Sequence, residues 1–335
     1  MLGLAAYPAQ ARQASAPPPV DEASKAIEAV DAAYQAQVHA AQVARLKALE
    51  ALVNRNESTA AGPITEAFFQ TAIADDLFAE AEPLAGRVIA LGKQATTDAW
   101  LLARIVDIVA KVDRGAVENS VTALQTALST APAEATTVIS LLEVYYHQLL
   151  ARREFGIALK AFEAARTSVK DPSITAYLDN RIARLAMIGK PSPVLKGSTI
   201  DGKPFDLASM KGKIVVVVFW ASWCVPNAQE IEALVEVVQQ YQDQGLEVVG
   251  VNMDTAQDDA GSLETYLPNI KRFLLDFNVT WPTLVNGSGA ADYAAVFHVN
   301  DLPASVVINR QGTVIGIDPG VKGLFDSLPE LLKAP

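Results

Sequence analysis

The chain has 335 residues, half of them hydrophobic and 19% charged, with 38 acidic against 27 basic side chains and a net charge of −11. That length fits about two domains, the composition is that of a folded globular chain, and the acidic surplus leaves no electrostatic footprint for phosphate backbones, which excludes general nucleic-acid binding. A single cysteine, Cys224, excludes an internal disulfide and a zinc site built from several cysteines, and the three histidines (His39, His147, His298) are scattered, so neither a metal nor a cofactor is expected.

Residues 1–20 form an Ala/Pro-rich leader without acids. Ala9-Gln10-Ala11 fits a small-residue cleavage pattern, but the basic start and long apolar core of a full secretory signal are missing. Two readings stay open, a signal-peptide remnant and a disordered leader, with Pro17-Pro18-Pro19 as a stiff spacer in either case. No run of 18 apolar residues occurs, so no transmembrane helix is expected.

Residues 21–189 read as an all-α domain. Asp21 and Glu22 suit a helix start, and Ile27, Val30, Tyr34, Val38 and Ala41 recur at spacings of three and four, an amphipathic stripe on a helix reaching about residue 53. Further helices are predicted over 63–76, 77–92, 96–112, 116–130, 134–151, 154–169 and 174–188, with breaks at Gly92, Asp113-Arg114-Gly115, Pro132 and Asp171-Pro172. Such pairing suggests a helical-hairpin array or an irregular bundle. Phe155, Ala158, Phe162 and Ala165, followed by Asp171-Pro172, resemble the second helix of one tetratricopeptide repeat. Tyr145, Tyr146 and His147 are expected in the core or at its rim.

Pro191 and Pro193 mark a boundary, and residues 190–335 read differently. Apolar, β-branched runs predict strands over 214–219, 246–251, 304–308 and 313–317, the last two joined by Asn309-Arg310-Gln311-Gly312. A helix over 228–244 between the first two makes a βαβ unit. Another helical stretch is predicted over 261–277, with Pro268 breaking or kinking it, and a last helix over 324–332. From Pro191 onward the chain carries seventeen acids against nine bases, most of the acidic surplus.

Cys224 lies where the first buried strand meets the long helix, within Phe219-Trp220-Ala221-Ser222-Trp223-Cys224-Val225-Pro226-Asn227. This segment resembles the thioredoxin-like superfamily, and within it the TlpA/ResA-like extracytoplasmic thiol-disulfide oxidoreductases. The same resemblance extends over about 191–335. It includes Gly202-Lys203-Pro204-Phe205-Asp206-Leu207, Glu230, Asn252 and Asp254, Trp281-Pro282, Tyr293, and the run from Leu302-Pro303 to Asn309 with Gly312 after it. The resemblance implies an α/β thioredoxin-like fold, a cis Leu302–Pro303 peptide facing Cys224, pairing of that loop with a substrate backbone, and a location outside the cytoplasm. A cysteine at a helix N-terminus faces unpaired N–H groups and the positive end of the dipole, which favour the nucleophilic thiolate. Pro226 suits the first helical turn.

The departure from the family is Asn227, which stands where a second cysteine is usual. It cannot attack a mixed disulfide, so an external thiol must resolve any exchange. Val218 stands where thioredoxin has a buried acid. The first functional reading is a monothiol oxidoreductase acting on protein or small-molecule thiols and disulfides. Cys224 is then the nucleophile, Asn227 a donor to the thiolate and Glu230 a proton relay or a helix-start acid, with Trp223, Pro226, Leu302 and Pro303 around the substrate. The second is a redox-inactive binding module on a helical platform that itself takes a protein partner. The third, a one-cysteine peroxidase, lacks the family's Thr and Pro, since Ala221 and Val217 occupy those positions. Trp220 is expected to pack against the helix, and His298 to be a loop residue without a catalytic role.

Overall fold

The computed structural model describes residues 20–55, 62–130, 135–256, 263–287 and 291–333. The leader and the expected break at Pro132 lie outside them. Eight helices come first: α1 Val20–Arg55, α2 Pro63–Ala74, α3 Phe78–Leu91, α4 Thr97–Asp113, α5 Val117–Thr130, α6 Ala135–Ala151, α7 Phe155–Ser168 and α8 Pro172–Leu185. Their ends have local causes. Thr96 accepts the Ala99 N–H at the start of α4, and Asp171 accepts those of Ser173 and Ile174 ahead of Pro172 at the start of α8. Neighbouring helices pack in sequence, α3 on α4, α4 on α5 and α7 on α8. Alanines on the shared faces, among them Ala81, Ala85, Ala103, Ala158 and Ala161, are buried and let the axes approach. Tyr145, Tyr146 and Phe162 fill the space between, with the Tyr145 and Phe162 rings stacked at 6.5 Å.

The stripe at the start of α1 is not a packing face: Ile27, Val30 and Tyr34 are all more than 60% exposed. Among the described residues of α1, Leu46 and Val53 are buried. Length explains the correction. Thirty-six residues span about 54 Å, whereas α2 and α3 offer about 18 and 21 Å of surface, so the first half of α1 overruns its neighbours.

After Pro191 the chain forms a short antiparallel pair, β1 Lys196–Ser198 with β2 Pro204–Asp206, and a five-stranded sheet. The sheet comprises β3 Ile214–Trp220, β4 Leu246–Asn252, β5 Thr283–Val285, β6 Ala304–Ile308 and β7 Val314–Ile317, in the order β5-β4-β3-β6-β7. β4 lies parallel to β3 and to β5, while β6 is antiparallel to β3 and to β7. α9 Val225–Tyr241 supplies the crossover from β3 to β4, α10 Leu263–Asp276 precedes β5, α11 Tyr293–Val296 precedes β6, and α12 Gly320–Lys333 closes the chain. α10 runs through Pro268 without a break. That proline falls in the second turn, where its missing N–H forfeits a single hydrogen bond close to a helix end.

Every residue of β3 is buried, and alternate residues serve two layers. Ile214, Val216, Val218 and Trp220 pack with Ile231 and Leu234 of α9, Phe273 of α10 and Leu324 of α12. Val215, Val217 and Phe219 face the other way, into a core continuous with that of the helical segment. The helical segment therefore adjoins one face of the sheet while α9, α10 and α12 cover the other, and α8 reaches the segment before β6.

Candidate functional site

The site grows from the C-terminal end of β3. After Trp220 the chain turns through Ala221, Ser222 and Trp223, and Cys224 becomes the N-cap of α9 (φ −87°, ψ 103°). Its N–H donates to the Ala221 carbonyl at 3.2 Å. Pro226 lies in the first turn of α9, where its missing N–H removes nothing the helix would use. The side chain of Cys224 makes no capping hydrogen bond and is 9% exposed. Beside it Trp223 is 52% exposed, while Trp220 is fully buried and stacked on Phe273 at 4.6 Å.

Two groups pin the turn. Asp254, fully buried just past β4, accepts from the Ser222 N–H at 2.7 Å, the Ser222 hydroxyl at 2.6 Å and Asn252 Nδ2 at 3.1 Å. Asn227, 2% exposed, accepts the Ala221 N–H on its Oδ1 at 3.2 Å. Among the described residues no hydrogen bond joins Asn227 to the Cys224 sulfur, so the amide serves the loop rather than the thiol in this state. Its burial fits a residue filling the space beneath the turn.

The opposite wall follows from the antiparallel pairing of β3 with β6. Ala304 pairs with Phe219, which sets Leu302 and Pro303 at the same end of the sheet as the Cys224 turn. The Leu302–Pro303 peptide is cis. Glu230, on the second turn of α9, lines a small cavity with Val218, Leu234, Ser305 and Pro319. Burial first, and then the nearby Asp318 charge, push its carboxyl up to about 7 from an ordinary value of 4.5. Glu230 thus brings a carboxyl from the helix to the cavity beside Val218. His298 holds a left-handed backbone (φ 53°) in the loop before Pro303, and burial together with the Arg184 charge lowers its pKa.

Sequence reasoning missed the groups that α8 brings to this loop. Arg184 is 1% exposed and forms a two-pronged pair with Asp318, Nε to Oδ2 at 2.8 Å and a terminal nitrogen to Oδ1 at 2.6 Å. Asp318 also accepts the Ser305 N–H at 2.7 Å. Arg181, 4% exposed, binds Asp301. The one signal available was the presence of two arginines three apart on one face of the helix. Their burial depends on a partner more than a hundred residues away.

Among the described residues no helix is long and apolar enough to cross a membrane, and no group of three His, Cys, Asp or Glu could hold a metal ion.

Residues 188–317 match the model of the AhpC/TSA family. The thiol-disulfide oxidoreductase ResA of Bacillus thuringiensis subsp. konkukian is 28% identical over 128 residues, which is 38% of this chain and 67% of that protein. The thioredoxin-like protein YneN of Bacillus subtilis is 29% identical over 133 residues, 39% of this chain and 71% of its own length. Among solved structures, a thiol:disulfide interchange protein of the thioredoxin family from Chlorobium tepidum is 26% identical, with a TM-score of 0.34, over 42% of this chain and 95% of that one. The C-terminal half of the chain has a thioredoxin-like fold and is similar in sequence to the AhpC/TSA family and to thiol-disulfide oxidoreductases.

Proposed function

We propose that this protein performs thiol-disulfide exchange through a single reactive thiol, Cys224. The thiolate attacks a substrate disulfide, forming a bond from Cys224 to one substrate sulfur and releasing the other as a thiolate. A second, external thiol then attacks the mixed disulfide, takes the substrate sulfur and returns Cys224 to its starting form, so that electrons balance without a second cysteine in the chain. The observation that carries this reading is the placement of Cys224 at the start of α9, in a turn fixed by Asp254 and at the same end of the sheet as the cis Leu302–Pro303 peptide. An exposed Trp223 beside it offers an apolar rim for a peptide. Without a resolving thiol the mixed disulfide is long-lived, and the protein can hold a partner covalently. Action outside the cytoplasm and a protein partner on the helical domain belong to the same proposal. The kinship with thiol-disulfide oxidoreductases supports the former, because disulfide substrates persist in oxidising compartments.

A second reading, a binding module without redox chemistry, draws support from the burial of Cys224 and from Asn227 in its loop-holding role. The test is capture of partners by the intact protein and by Cys224→Ser, each eluted with reductant. Partners released only from the intact protein support exchange. Identical binding by both, without reductant-dependent release, refutes exchange and supports the module.

A further inference from the structure

The segment running from Phe297 to Ser305 carries the cis Leu302–Pro303 peptide, and a helix from the other half of the chain grips it at both ends. Asn180 Nδ2 donates to the His298 carbonyl at 3.1 Å, across His298's left-handed backbone. Arg184 donates to the Phe297 carbonyl and to the Ser305 carbonyl, each at 3.1 Å, while its pair with Asp318 fixes the Ser305 N–H as well. Between these anchors Arg181 meets Asp301, the residue before Leu302, with two parallel hydrogen bonds of 3.0 and 2.5 Å. Two-pronged arginine–carboxylate pairs fix orientation as well as distance.

Arg181 is itself held before it reaches Asp301. Its guanidinium lies over the rings of Tyr146 and Tyr177, 4.9 and 5.0 Å from their centroids, and it also donates to both oxygens of Glu143 at 2.9 and 3.1 Å. Tyr177 in turn donates to Glu143. The hub is therefore built on α6 and α8, and Asp301 is its single attachment in the loop. Asp301 is otherwise 56% exposed, and nothing about its own surroundings demands a buried arginine. A fully packed helical core would be cheaper with an apolar residue at position 181, since burying a guanidinium costs free energy unless its partners repay it.

We propose that Arg181 is a positioning residue of the exchange site: α8 sets the Asp301–Leu302–Pro303 loop in register for a substrate backbone entering beside Cys224. The inference rests on the reading of Cys224 as an exchange nucleophile. It makes the helical segment a working part of the site. Register errors of about 1 Å in such a loop slow reactions by up to roughly a hundredfold, so loss of one two-pronged contact should produce a smaller but measurable effect.

The test uses the full chain and two reagents for the same sulfur. Iodoacetamide needs no bound backbone, whereas a peptide carrying a cysteine activated as an aryl mixed disulfide does. Arg181→Gln and Asp301→Asn should each slow the peptide reaction about three- to tenfold, through a higher half-saturating peptide concentration, and leave alkylation within about twofold. The double variant should be no slower than the slower single one, because both changes remove the same contact. Asp301→Asn keeps the side-chain shape at a half-exposed position, so it reports even if Arg181→Gln fails to fold. Equal slowing with both reagents, no slowing with the peptide, or additive slowing in the double variant overturns the inference alone. A parent protein whose Cys224 reacts with alkylator but never with the peptide disulfide overturns the exchange reading, and this inference with it.

Discussion

Replacing Glu230 by Gln should reverse part of the protein's pH dependence of stability. The Glu230 carboxyl sits among Val216, Val218, Leu234 and Leu324, and burial followed by the Asp318 charge raises it from 4.5 to about 7. Because the folded state favours the neutral acid, the contribution is complete below about pH 4.5 and is lost as pH rises through 7. At about 1.4 kcal/mol for each pH unit between those values, the folded state forfeits on the order of 3 kcal/mol by the time the group is fully ionised. Glutamine is nearly isosteric with the protonated acid and cannot ionise. The variant should match the parent near pH 4.5 and exceed it by about 2–3 kcal/mol near pH 8.5. Urea unfolding of both proteins at intervals across that range, followed by tryptophan fluorescence, measures the difference directly. A difference that stays constant within about 0.5 kcal/mol from pH 4.5 to 8.5 would refute the argument that burial and Asp318 raise the Glu230 carboxyl.

Asp254→Ala strands the Ser222 N–H, the Ser222 hydroxyl and the Asn252 amide in a buried place, so unfolding should show a loss of about 3 kcal/mol and Cys224 should label faster as its turn loosens. Gly250→Ala places a methyl 2.8 Å from Thr283 Oγ1 and 3.0 Å from Trp220 Nε1 beneath the β3–β4–β5 surface, and should cost about 1–3 kcal/mol in the same measurement. For Glu143, burial alone would raise the carboxyl, but hydrogen bonds from His147 and Tyr177 and the Arg181 charge outweigh it and hold it at about 2. Its contribution is therefore complete above about pH 4.5 and lost as pH falls toward 2; Glu143→Gln should flatten that acid limb in thermal scans, and an unchanged limb would count against the pairing.

The elements themselves were largely legible. Helix breaks at Gly92 and Asp171-Pro172 and strand runs such as Val215 to Val218 are local properties, set by backbone freedom, capping and side-chain periodicity within a few residues. Chain order placed Cys224 between a buried strand and a helix, and the motif around it pointed to the right fold. The short strand Thr283–Val285 and the helix Tyr293–Val296 were not resolved as elements, because three or four residues are too few to show a period.

The amphipathic stripe of α1 shows the limit from the other side: its spacing is helical, yet whether Ile27, Val30 and Tyr34 find a partner depends on how far the neighbouring helices extend. Asn227 looked like a donor to the sulfur from its position alone, and only the folded turn showed its oxygen committed to Ala221. Arg181 and Arg184 belong to no sequence motif, and they form a clamp because Asp301 and Asp318 arrive from more than a hundred residues away. The single cysteine was thus identified by sequence, through a local motif at a strand–helix junction. Its surroundings were decided by tertiary structure: the raised acid beside Val218, the carboxylate under Ser222 and the helix that holds Asp301 and Ser305 on either side of Pro303. Burial and long-range pairing set the charge and position of such groups, and neither is a property of a residue's neighbours along the chain.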